Sequence, residues 1–284
     1  MTSLTRPRIA ALAAALALGL VSFLSAPASA APSFAPAEEA TITPGVMMFT
    51  EGAQCTANFI FTDSADTYIG YAAHCAGTGE ATDTDGCLAG TLPLGTEVEI
   101  EGADQPGTLA YSSWAAMQAA GETDANACAY NDLALVRIDP ADVAKVNPSI
   151  PHWGGPTGLN TDGVPAGEQV YSYGNSSLRQ GIALLSPKTG LSLGTTGGGW
   201  THPVYTVTPG IPGDSGSAFL DADGQALGVL STLALAPLPA SNNVSDLNMA
   251  LDYMRSHGGP DAAVALGTED FDGAQLPLGV GGLF

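Results

Sequence analysis

The sequence predicts an all-β protein in two halves followed by a single helix, and three observations carry that reading. Short apolar or alternating runs bounded by Gly, Asp, Thr and Pro recur along the chain. A stretch rich in Pro, Gly and Asn, Pro140 to Gly167, divides them. Helical spacing of apolar residues appears near the end, in Val244, Leu247, Leu251 and Met254.

In the first half, about 44–140, the runs expected as strands are Gly45 to Thr50, Asn58 to Thr62, Thr96 to Glu101 and Leu133 to Ile138. After the linker, about 140–167, the second half (168–240) continues with Val170 to Tyr173, Ile182 to Leu185, Val204 to Thr208, Ser217 to Leu220 and Ala226 to Leu230. The helix is expected over 244–257, with Asn242 and Asn243 able to cap its start and Gly258-Gly259-Pro260 stopping it. The remaining tail, 259–284, has no readable pattern.

Residues 1–30 read as an export signal. Arg6 and Arg8 supply the positive end, Ile9 to Leu24 the apolar run, and Ala28-Ser29-Ala30 a small-residue cleavage site. The mature chain is then expected to begin near Ala31, with 31–43 as an N-terminal segment or short propeptide. Gly, Pro or charge interrupts every later apolar stretch, so no membrane anchor is expected and the product reads as secreted and extracellular.

The chain has 28 acidic and seven basic residues, a net charge of −21. Removing the two arginines of the signal leaves five basic residues against 28 acidic ones, or −23. Nucleic acid and anionic membrane are therefore excluded as expected partners, because both are bound chiefly by Lys and Arg on phosphate. Four cysteines in an exported chain suggest two disulfides, which can pair in three ways. Cys55 and Cys75 flank two strand-like runs and could join the ends of a hairpin, leaving Cys87 for Cys128. The cysteines lack the paired short spacing of zinc sites, so no metal and no cofactor are expected. Asp83, Asp85 and Gly86 in T-D-T-D-G-C resemble the middle of a calcium loop, but Ala81 and Leu92 stand where its ends need ligands, and a solvated acidic turn is the expectation.

A serine hydroxyl becomes a nucleophile only with a base in reach and a third group orienting that base. Three segments offer such groups, in the order His, Asp, Ser: Tyr71-Ala72-Ala73-His74-Cys75, Asn131-Asp132-Leu133-Ala134-Leu135-Val136, and Gly213-Asp214-Ser215-Gly216-Ser217. The Gly-x-Ser-x-Gly elbow of α/β-hydrolases fits poorly, because position 217 is Ser and the acid and base precede the nucleophile.

These segments, with Gly228-Val229-Leu230-Ser231 after the last, resemble the signatures of the bacterial-type chymotrypsin-like serine peptidases over about residues 44–258. The resemblance implies two six-stranded antiparallel β-barrels with a C-terminal helix, and a secreted serine endopeptidase acting on protein or peptide through an acyl-enzyme. It further implies His74 as base, Asp132 as its orienting partner, Ser215 as nucleophile, and the N–H groups of Gly213 and Ser215 as oxyanion donors. Ser231 takes the position that supports Asp132, and it forms the specificity pocket with Pro209, Thr232 and Leu233. Pro209, six residues before the nucleophile, stands where the trypsin type carries an acid, so cleavage after Lys or Arg is not expected; Leu233 narrows the entrance toward small or medium apolar residues. No Lys or Arg occurs between Arg8 and Arg137, so trypsin-like activation at the domain start is excluded, and an internal cation, Arg179, is expected to pair with Asp214. The alternative is a silent or latent homologue that binds protein or peptide in the same cleft. A monomer is expected, and His152, His202 and His257 are expected to be structural.

Overall fold

A computed structural model describes residues 1, 2, 33–79, 84–234 and 241–275. The export signal expected over 1–30 thus falls almost wholly outside the described residues, as does Asp83. Residues from Pro32 onward form one compact unit.

The first half contributes β1 (Met47–Thr50), β2 (Ala53–Thr56), β3 (Ile60–Thr62), β4 (Thr67–Tyr71), β5 (Glu97–Ile100), β6 (Gly107–Ser112) and β7 (Ala134–Arg137). Alternation in Glu97-Val98-Glu99-Ile100 turns Val98 and Ile100 inward and leaves both glutamates in solvent, the period-two pattern of a half-buried strand. By contrast, β4 is buried along its whole length, because β3 and β7 flank it.

The second half is a closed barrel of six strands: β8 (Gln169–Tyr173), β9 (Pro187–Ser192), β10 (Thr201–Thr206), β11 (Ala218–Leu220), β12 (Ala226–Ala234) and β13 (Ser241–Asp246). Val164, Val170, Val204, Phe219, Leu227, Leu230 and Val244 fill it. The first half instead curls as an eight-stranded sheet, whose eighth strand, β14 (Ala263–Val264), comes from the tail and pairs with β3.

Four features differ from the sequence reading. Ile182 to Leu185, apolar enough to suggest a strand, is an exposed turn with Ile182 52 % and Leu184 59 % accessible, and β9 begins after it. Val244, Asn242 and Asn243 belong to β13, which pairs with both β10 and β12, so the C-terminal helix starts later, at Leu247. Its cap is Asp246, whose carboxylate accepts from Met249 N–H at 2.7 Å. Two further helices, α1 (Ser113–Ala120) and α2 (Ala125–Tyr130), precede the C-terminal α3 (Leu247–Ser256). Ser112 and Asp124 cap the first two, and Gly121 ends α1 at φ +64°.

The described part of the tail is a strap. After β14, Gly155 N–H donates to Glu269 O at 3.0 Å, Asp272 N–H donates to Trp153 O at 2.8 Å, and Phe271 packs edge-on against Tyr171 of β8 at 5.2 Å. The strap thereby joins the first sheet to the linker and the second barrel. At the other end, Ile42 is fully buried and bridges Val146, which anchors the N-terminal segment on the linker.

Candidate active site

His74 sits in the 3₁₀ turn Ala73–Ala76 that follows β4, beside Cys75. Cys75 is disulfide-bonded to Cys55 of β2, and Cys87 to Cys128 of α2. Asp132 lies between α2 and β7 and is 4 % exposed. Its Oδ1 accepts from His74 N–H at 2.9 Å, and its Oδ2 is 2.7 Å from His74 Nδ1 and 2.6 Å from Ser231 Oγ. An ionised carboxylate only accepts, so the proton lies on Nδ1 and Nε2 is left as the basic nitrogen. Burial disfavours the imidazolium, but the charge and hydrogen bond of Asp132 outweigh it, and the His74 pKa is raised above the ordinary 6.5.

Ser215 lines the same cleft, of about 560 Å³, as His74 and Asp132. Its carbonyl accepts from Thr56 N–H of β2 at 2.8 Å, which fixes the loop against the first half. Among the described residues Ser215 Oγ forms no hydrogen bond with His74.

Hydrogen bonds on the carbonyls orient the two peptide planes whose N–H groups were expected as donors. Pro212 O accepts from Ser176 Oγ at 2.5 Å, and Asp214 O accepts from Ser217 N–H at 3.0 Å. In a planar trans peptide the N–H points opposite the carbonyl, so Gly213 N–H and Ser215 N–H are turned away from those donors, and neither has a protein partner among the described residues. Glycine is required at both flanks. Gly213 has φ +94° and a Cβ there would lie 2.3 Å from Gln54 Oε1; at Gly216, φ +90°, it would lie 2.5 Å from Thr56 O.

Of the expected pocket residues, Ser231, Thr232 and Leu233 line the cleft, whereas Pro209 does not. Its carbonyl instead accepts from Arg179 Nη2 at 3.1 Å, which holds it behind the pocket, and Gly210, Ile211 and Pro212 take the wall. Asn242, read from sequence as a helix cap, also lines the cleft; its Oδ1 accepts from Gly210 N–H at 2.8 Å. The signal that could have found it is register, since Asn242 sits opposite Leu233 across the β12–β13 pair. Asp132 is the only carboxylate lining the cleft among the described residues, and both its oxygens are engaged.

Asp214 is fully buried and pairs with Arg179, Oδ2 to Nη2 2.6 Å. A second cation, Lys188, stands 3.1 Å from the same oxygen and has no counterpart in the sequence reading. Two side-chain groups with metal-like proximity, Cys55–His74–Cys75 and Asp85–Cys87–Cys128, contain disulfide-bonded cysteines, which are not thiolate ligands. Asp85 instead accepts from Cys87 N–H at 3.0 Å as a turn residue. His152, His202 and His257 are absent from the cleft lining; His202 is fully buried, 2.8 Å from Asp246.

Comparison with solved structures finds Thermobifida fusca protease A, with a TM-score of 0.52 over 80 % of this chain and 100 % of that one at 18 % identity. The chain has the chymotrypsin-like serine protease fold. Cellulomonas bogoriensis chymotrypsin is similar at 19 % identity, with a TM-score of 0.47 over 79 % of this chain and 98 % of that one. No family model and no curated protein matches the sequence. Both halves of the chain supply the cleft: His74 and Asp132 come from the first, Ser215 and Ser231 from the second.

Proposed function

We propose that the protein is a secreted serine endopeptidase that hydrolyses peptide bonds through His74, Asp132 and Ser215. The observation that carries this reading is the Ser231–Asp132–His74 hydrogen-bond chain ending in a cleft lined also by Ser215 and Gly213, whose N–H groups have no protein acceptor among the described residues. In this mechanism His74 Nε2 takes the proton of Ser215 as Oγ attacks the peptide carbonyl, and returns it to the leaving amine. Asp132 stabilises the imidazolium, and Gly213 and Ser215 N–H donate to the oxyanion, each such donor contributing roughly 10²–10³ in rate. Water then hydrolyses the acyl-enzyme by the same proton route.

Secretion is supported by the export-like N-terminus and by two disulfides, which persist in oxidising compartments. Among the described residues no helix is long and apolar enough to cross a membrane. The lining argues against cleavage after Lys or Arg, since Gly210, Leu230, Leu233 and Asn242 offer no carboxylate to a basic side chain, and Leu233 supports a preference for small or medium apolar residues. Self-blocking by the N-terminal segment has no support in the fold, because none of the described residues before Ala53 lines the cleft.

A second reading, a cleft that binds peptide without cutting it, draws on the missing Ser215–His74 hydrogen bond. Hydrolysis of a fluorescent protein substrate by the purified chain, absent in Ser215→Ala, supports the peptidase; peptide binding of equal strength in both with no hydrolysis supports the binder.

A further inference from the structure

Two cations share the carboxylate beneath the Ser215 loop. Asp214 Oδ2 lies 2.6 Å from Arg179 Nη2 and 3.1 Å from Lys188 Nζ. The same oxygen accepts from Ile211 N–H at 3.1 Å, while Oδ1 accepts from Ser176 N–H at 3.0 Å. The carboxylate therefore ties the start of the 211–215 loop to the residue next to the nucleophile. Ser176 is tied in as well, and its Oγ orients the Pro212–Gly213 peptide.

Arg179 alone would balance the charge of Asp214. Lys188 is nevertheless completely buried on β9, its Nζ 3.1 Å from Asp214 Oδ2 and without a further hydrogen-bond partner among the described residues. Taking an ammonium out of water costs several kcal/mol, and an apolar side chain would fill the same space without that cost. The cluster is also closely packed: a Cβ on Gly174 would lie 2.7 Å from Lys188 Cε and 2.5 Å from Asp214 Oδ1. Such a costly charge, aimed at the one carboxylate that organises the loop, calls for a role beyond filling the barrel.

Resting on the peptidase reading, we propose that Lys188 is a positioning residue: with Arg179 it holds Asp214 so that Gly213 and Ser215 N–H groups stay aimed into the cleft, assembling the loop from inside the second barrel without a new amino terminus. Lys188 touches no substrate and acts through Asp214. The charged groups facing it are Asp214, on the loop, and Arg179, at the end of the turn Ser177–Arg179. Burial holds its ammonium below the ordinary lysine value; Asp214 opposes that shift and the Arg179 charge adds to it. As pH rises through the lowered value the second cation is lost and Asp214 keeps only Arg179.

The test compares the full chain with Lys188→Met, Lys188→Arg and Ser215→Ala on one peptide substrate across pH, alongside thermal melting. Lys188→Met is expected to melt no lower than wild type and to lose about tenfold in kcat with KM little changed, a fraction of what one oxyanion donor contributes. Wild type is expected to lose kcat as pH rises through the lowered Lys188 value, and that fall should be absent from Lys188→Met. Lys188→Arg, whose guanidinium does not deprotonate, is expected to keep kcat and to move the alkaline limb to higher pH. Wild-type kcat and pH profile in Lys188→Met, or a kcat loss that follows a lowered melting temperature, would overturn the role. Should Lys188→Met fail to fold, an unmoved alkaline limb in Lys188→Arg overturns it. Wild type no more active than Ser215→Ala is a different failure, that of the peptidase reading itself.

Discussion

The hydroxyl of Ser231 lies 2.6 Å from Oδ2 of Asp132, the same oxygen that stands 2.7 Å from His74 Nδ1. Ser231 belongs to β12 of the second barrel, whereas Asp132 and His74 belong to the first half, so this bond joins the two halves at the cleft. A hydrogen bond to a charged group contributes about 1.5–3 kcal/mol, and about 1.4 kcal/mol is tenfold in rate. Ser231→Ala is therefore expected to lower kcat by about tenfold or more with little effect on KM, measured by steady-state kinetics on a peptide substrate.

Activity should fail on the acid side at a higher pH than an unperturbed imidazole would set. His74 must be neutral to accept the serine proton, and its raised pKa means it becomes protonated at a higher pH than a free imidazole. The value of kcat/KM is expected to fall as pH drops through a midpoint above 6.5. Asp132→Asn removes the charge that raises it, so the midpoint should move down while kcat falls on the order of 10⁴-fold. A pH–rate profile of the two proteins checks both statements.

The two disulfides should separate stability from catalysis. Each closes a loop, of 20 and 41 residues, for which chain entropy gives roughly 3 to 4 kcal/mol. Replacing Cys87 and Cys128 by serine is expected to lower stability by about that much and leave kcat near wild type at temperatures where the protein is folded. Replacing Cys55 and Cys75 should cost stability and kcat together, because Cys75 is adjacent to His74 in the same turn. Melting curves beside kinetics distinguish the pairs.

Leu233, 52 % exposed at the rim, is expected to limit the size of the residue before the scissile bond. Leu233→Gly should raise kcat/KM for aromatic residues relative to alanine in a peptide library, with arginine and lysine remaining poor. Better cleavage after arginine in the wild type would remove the proposed specificity.

What could be read from the sequence was whatever its neighbours in the chain define. His74, Asp132 and Ser215 each sit in a short segment whose glycines, cysteine or strand pattern mark it, and the fold gathers those segments into one cleft. Four strands of the second barrel, β8, β10, β11 and β12, are visible as short runs, whereas β9 and β13 are not: the exposed Ile182 to Leu185 turn has the composition of a strand, and Val244 of β13 falls in step with the helix that follows. Pro209 was misplaced because counting back along a loop says nothing of its path, and here the loop turns Pro209 toward Arg179. The roles of Asn242 and Lys188 are not legible because their partners, Gly210 and Asp214, are distant in sequence and lie in the loop between β10 and β11, which the fold lays against β13 and β9. The described part of the tail shows no period because single residues hold it, through contacts with Trp153, Gly155 and Tyr171.

A fluorophosphonate probe labels an activated serine without knowledge of the substrate. The purified mature protein is expected to be labelled at Ser215, while Ser215→Ala and His74→Ala are not. Folded wild-type protein that takes up no label, or label that persists in Ser215→Ala, would contradict Ser215 as the activated nucleophile.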